Sequence, residues 1–134
     1  MRGSALLAEV AQLLAPGGLG LPGAAEVGIA ARVDLVLAEA PPLRSGMERA
    51  WEILAAQISD RAPASQDIAE LEAADPAAFH ALLETVVIAW ATAPAVQALL
   101  GVAERPPIPV DKHLADPDLL APVVLRGPRW RAEE

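Results

Sequence analysis

The sequence predicts an all-α protein, a compact bundle of five or six short helices around a central apolar helix, followed by an extended Pro-rich C-terminal tail. Three observations carry that expectation. Apolar residues make up 54% of the 134, yet thirty of them are alanine and aromatics reach only 3%. The apolar mass therefore comes in small side chains that helices favour and strands do not. Thirteen prolines cut the chain into stretches, and inside those stretches large apolar residues recur at three- and four-residue spacing. A chain of this length is expected to form one hydrophobic core.

The first helix is expected from Ser4 to Ala15, where Leu6, Val10, Leu13 and Leu14 share a face and Ser4 is placed to cap it. Pro16 and Gly17 stop it. The second is expected from Pro22 to about Glu39, on the stripe Ala25, Ile29, Val33 and Leu37, with Pro41 and Pro42 beyond its end. In the third, Met47, Trp51, Leu54 and Ile58 are in register, Arg44 and Glu48 lie at helical contact distance on the exposed side, and Pro63 closes it. Ser65, Ile68 and Leu71 mark a short fourth segment. Asp75 and Pro76 read as the N-cap and first turn of a fifth helix ending at Ala91. From Phe79 onward its only strongly polar residues are His80, Glu84 and Thr85, so this helix should be the central one. Pro94 opens a last short helix with Val96, Leu99 and Leu100, which Gly101 is placed to cap.

Beyond Gly101 the pattern changes, with six prolines from Pro106 to Pro128 and little apolar periodicity. The chain divides accordingly into a helical bundle over 1–104 and a tail over 105–134. The tail is too apolar for a solvated linker, so it should lie against something, either its own bundle or a partner. Within it Pro107, Ile108, Pro109, Leu119, Leu120, Val124 and Leu125 supply apolar contact, and Arg126, Arg129 and Arg131 surround Trp130. Trp and Arg dominate protein–protein hot spots, so these residues are the candidate partner-binding set.

The charge excludes some functions. Ten basic against eighteen acidic residues give a net charge of −8, which repels phosphate backbones and argues against a general nucleic-acid binder. Residues 1–101 hold twelve of the acidic and five of the basic side chains, so the acidity belongs to the bundle. Without cysteine there is no disulfide, thiolate metal site or thiol nucleophile. No apolar run approaches the roughly eighteen residues of a membrane span, so no membrane insertion is expected.

Candidate chemistry is sparse. Gly18, Gly20 and Gly23 spell G-x-G-x-x-G before a helix, with Glu39 further on, but that fingerprint works only when a parallel strand delivers the glycines. Here a helical pattern precedes them and Pro22 removes a backbone donor, so a turn is the preferred reading. His80 and Glu84 lie one helical turn apart and read as a helix pair, because a metal needs three or four converging ligands. His113 is the other histidine. Ser4, Ser45, Ser59 and Ser65 read as caps or turns. No catalytic, cofactor-binding or metal residue is assigned in this chain.

Two stretches resemble a known family. Pro16–Leu37, PGGLGLPGAAEVGIAARVDLVL, is similar to the segment of gluconate 2-dehydrogenase subunit 3 proteins in which a Pro-containing turn leads into PGA and a helix. Phe79–Arg105, FHALLETVVIAWATAPAVQALLGVAER, resembles that family's later helix, which ends in an aromatic residue, a proline-started turn and a glycine. The resemblance implies a noncatalytic small subunit that binds and stabilises a large FAD-dependent dehydrogenase of the glucose–methanol–choline (GMC) type, acting on a sugar or sugar acid. FAD would belong to the partner, and the tail would wrap it in a hetero-oligomer. In that family the small subunit commonly carries a twin-arginine leader. This sequence has only Arg2 at that end, and a cytoplasmic location is the corresponding expectation. A free-standing helical adaptor acting through protein contacts is the alternative.

Overall fold

The computed structural model describes residues 2–102 and the isolated position Leu125. Six α-helices follow one another: α1 (Arg2–Leu14), α2 (Ile29–Glu39), α3 (Pro42–Ile58), α4 (Ser65–Ala74), α5 (Pro76–Ala91) and α6 (Pro94–Leu99). A single 3₁₀ turn, Ala24–Val27, precedes α2. Among the described residues no strand forms, and one isolated bridge joins Gly18 to Leu21. The all-α expectation holds, and the helical unit is Met1–Ala103.

Helix α5 packs against every other element, as a helix apolar on nearly all sides must. Ala78, Ala81, Leu82, Thr85, Val86 and Ala89 of this helix are buried. Around it Val10, Ile29, Leu54, Ile58, Leu71 and Val96 are closed to solvent. Each large aliphatic among them stabilises the fold by about 1.5–3 kcal/mol relative to exposure. The small side chains set the helix spacing. At the α3–α5 contact, a Cβ added to Gly46 would stand 2.5 Å from the Cβ of Ala81, so the two helices meet there closer than alanine permits. Helix α3 packs on α5 and α4, while α1 packs on α2, so a gap opens where α3 diverges from the α1–α2 pair.

The N-terminus of α5 is built as its sequence indicates. Asp75 Oδ1 accepts from the Ala78 N–H at 2.9 Å, and its Oδ2 pairs with Arg49 of α3 at 3.0 Å. These two donors, the amide first, hold the Asp75 carboxyl below its ordinary pKa. At the far end Gly101 adopts a left-handed φ of 68° just after α6, as expected.

Four local expectations are corrected. The predicted second helix is two pieces, because Gly28 takes a left-handed φ of 65° between the 3₁₀ turn and α2. That break rotates the chain so that Ala24 is buried and Ala25 is exposed, and the apolar stripe starts at Ile29. Helix α3 stops at Ile58, well before Pro63, where Ser59 turns to φ 47° and its N–H still reaches the Ala55 carbonyl. Ser4 lies inside α1 and Ser45 inside α3, so neither is a cap. Ser65 is the first residue of α4, where the capping is done by Asp67, whose carboxylate accepts from the Ala64 N–H at 2.8 Å.

Candidate functional site

The partner-binding residues expected from sequence, Pro107, Ile108, Pro109, Leu119, Leu120, Val124, Arg126, Arg129, Trp130 and Arg131, lie outside the described residues, as does His113. Leu125 of the same set is described and its side chain is exposed.

Within the bundle, the gap between α3 and the α1–α2 pair forms an open groove of about 500 Å³. Leu7 from α1, Ala30, Val33 and Leu37 from α2, and Met47 and Trp51 from α3 give it an apolar floor. These residues line it because two helical stripes, Val33–Leu37 and Met47–Trp51, face each other at four-residue spacing with no described helix between them. Asp34, Glu48 and Glu52 stand at the rim with Arg44. No described side chain pairs with any of the three carboxylates. Trp51 is half-buried, and no described residue accepts from its indole N–H.

The expected Arg44–Glu48 helix pair does not form. Arg44 Nη2 reaches instead to the Leu37 carbonyl at 3.4 Å, near the C-terminal end of α2. A cation is favourable there, because the last carbonyls of a helix lack intrahelical donors. Glu48 and Glu52 are left one turn apart on α3, a like-charge spacing that is mildly unfavourable. That i, i+4 pair of glutamates beside a tryptophan was legible in the sequence as a marked surface. Its juxtaposition with Asp34 was not, since Asp34 arrives from another helix.

The G-x-G-x-x-G glycines form a tight turn behind α1. Gly18 and Leu21 exchange both backbone hydrogen bonds at 3.0 Å, and Leu19 and Gly20 between them have φ of 52° and 84°. The positive φ at both central positions is the pattern of a two-residue hairpin turn. No strand delivers these glycines to α2, and the 3₁₀ turn intervenes. Gln12 spans the loop, donating from Nε2 to the Pro16 carbonyl at 3.1 Å and accepting from the Ala25 N–H at 3.0 Å.

His80 is exposed on α5, and its expected pairing with Glu84 is not made. Its Nδ1 lies 2.7 Å from the Pro76 carbonyl, and its ring meets Phe79 edge to face. Among the described residues no three His, Asp or Glu side chains converge to hold a metal ion. No described helix is long and apolar enough to cross a membrane.

Three polar devices were not expected from the sequence. Arg32 of α2 donates from Nε to the Ala89 carbonyl at 2.9 Å and from Nη2 to the Thr92 carbonyl at 2.6 Å, closing the C-terminus of α5. Trp90 Nε1 donates to the Pro22 carbonyl at 2.8 Å. These three bonds tie the segment from Pro22 to Arg32 to the C-terminal end of α5. The third is local: buried Asp67, whose carboxylate accepts from both Arg61 Nη atoms, one at 2.8 Å, and from the Ala64 N–H. The Arg61 bonds, then the amide, bring its pKa down to about 2. A lone arginine within an apolar helix stripe was the one available signal for Arg32.

The fold and groove together define a helical bundle with an open, apolar, acid-rimmed surface. Comparison with family models, curated proteins and solved structures finds no match.

Proposed function

We propose that this chain is a noncatalytic small subunit that binds and stabilises a large FAD-dependent dehydrogenase of the GMC type acting on a sugar or sugar acid. The supporting observation is the apolar surface that the bundle leaves open. Among the described residues no helix opposes the groove at Trp51, and Leu35, Leu99, Leu100 and Val102 are each more than half exposed. An apolar groove open to solvent is the kind of surface that marks an interaction site. The choice of a flavoprotein partner rests on the resemblance of Pro16–Leu37 and Phe79–Arg105 to gluconate 2-dehydrogenase subunit 3 proteins. In this reading FAD and the chemistry belong to the partner, the location is cytoplasmic, and residues 105–131 extend across the partner's surface.

Co-expression with a flavoprotein encoded beside it should yield a stoichiometric complex that survives sizing, and clean separation would overturn the reading. Deleting residues 105–134 should weaken that complex. A free-standing helical adaptor is the second reading, favoured by a core that the bundle encloses around α5 without help from another chain. It expects the isolated chain to unfold cooperatively as a monomer or homodimer, whereas the small subunit gains its stability on binding. Calorimetry on the chain alone and in complex separates the two.

A further inference from the structure

Resting on the accessory-subunit reading, we propose that the groove between α3 and the α1–α2 pair seats a basic, amphipathic segment of the partner protein. Its apolar side chains enter over Trp51, and its arginines or lysines meet Asp34, Glu48 and Glu52. The floor selects for apolar side chains, because Leu7, Val33, Leu37 and Met47 offer no polar group to a ligand.

The rim selects the sign of the charge. Three carboxylates and one guanidinium line the opening, and Arg44 is already engaged with the Leu37 carbonyl. Glu48 and Glu52 repel each other along α3, and Asp34 adds a third negative charge from α2. A cationic segment relieves that repulsion, a neutral one leaves it, and an acidic one increases it. Trp51 adds specificity of its own. Its indole N–H has no described acceptor and is free to donate to a backbone carbonyl of the incoming segment, while its ring face suits an arginine. A groove of about 500 Å³ takes the anchor side chains of one segment, as in helix-in-groove recognition.

The test uses the full chain and two synthetic helical peptides, alike in their leucine face, one flanked by arginines and the other by glutamates. Titration calorimetry should show the arginine peptide binding, with affinity falling as salt is raised, and the glutamate peptide not binding. Asp34→Lys, Glu48→Lys and Glu52→Lys together should weaken the arginine peptide by about tenfold or more, since exposed charges act additively but modestly. These positions are on the surface, so the triple variant keeps its fold, which its melting temperature verifies. Trp51→Ala should also weaken binding, and Trp51→Phe less so.

Equal affinity for both peptides, or a triple variant that binds the arginine peptide as tightly as the unmodified chain, overturns the proposal. The two readings fail separately. A flavoprotein complex that the triple variant retains removes the groove but keeps the subunit role. Peptide binding at the groove without any flavoprotein complex removes the subunit role but keeps the groove.

Discussion

Asp67 shows how one buried carboxylate can set a pH dependence. Its pKa of about 2 in the folded chain lies below the 3.8 of an unperturbed carboxyl, so the ionised form is favoured by folding. Its contribution to stability is therefore complete above pH 3.8 and is lost as pH falls toward 2. Asp75 acts in the same direction. Thermal melts should decline through that window, and Asp67→Asn should melt lower at neutral pH with a flatter acid limb. An acid limb as steep as that of the unmodified chain would remove Asp67 as its source. Gly46 is a packing constraint: alanine there gains about 1 kcal/mol of helix propensity but overpacks a rigid helix contact by about 1–3 kcal/mol, for a net loss. Denaturant titration of Gly46→Ala should show a lowered midpoint. Leu19 is the opposite case, a fully exposed leucine held at φ 52° in a turn that favours Asn. Leu19→Asn should stabilise the fold and raise the denaturant midpoint, because Asn tolerates the left-handed conformation better than leucine.

Among the elements, the C-terminus of α5 depends on a side chain from another helix. Arg32 supplies the donors that the Ala89 and Thr92 carbonyls lack within their own helix. Arg32→Ala should cost about 1.5–3 kcal/mol, the scale for hydrogen bonds to a charged group. Hydrogen exchange should show the loss as faster opening at the end of α5 and the start of α6, and unchanged exchange there would mean that water replaces the guanidinium at no cost. Trp90→Phe keeps an aromatic ring but removes the bond to Pro22 together with the pyrrole half of the indole, so it should cost more than the roughly 1 kcal/mol of the hydrogen bond alone. The predicted second helix failed for a reason at this same scale. A periodic stripe from Ala25 to Leu37 is compatible with one helix, and nothing local shows that Gly28 takes the left-handed conformation. Gln12, reaching across from α1 to the Ala25 amide, holds the loop in the shape that requires it.

Across the whole molecule, the arrangement follows from α5. One helix apolar on nearly every side needs neighbours all round, and the other described helices, of lower hydrophobicity, supply them. Because α3 leans on α5 and α4 while α1 leans on α2, the described helices leave a seam between α3 and the α1–α2 pair, and that seam is the groove. Substitutions on the groove rim should therefore leave stability nearly unchanged while altering binding, whereas substitutions facing α5 should do the reverse. Melting temperatures of Glu52→Lys and Leu82→Ala would check the contrast, with the second expected to lose about 2–5 kcal/mol.

The sequence alone determined the fold class, a count of five or six helices, the central place of α5 and the cap at Asp75. All four follow from periodicity, proline positions and local hydrogen bonding, which act within a few residues. Tertiary structure decided that Arg44 turns from Glu48 to the end of α2, that Arg32 closes α5, and that Asp34 stands with Glu48 and Glu52 around Trp51. Each of these joins residues from different helices, and their separation depends on how small side chains such as Gly46 and Ala81 let backbones approach. That distance is a property of the packed bundle, and no single stretch of chain contains it.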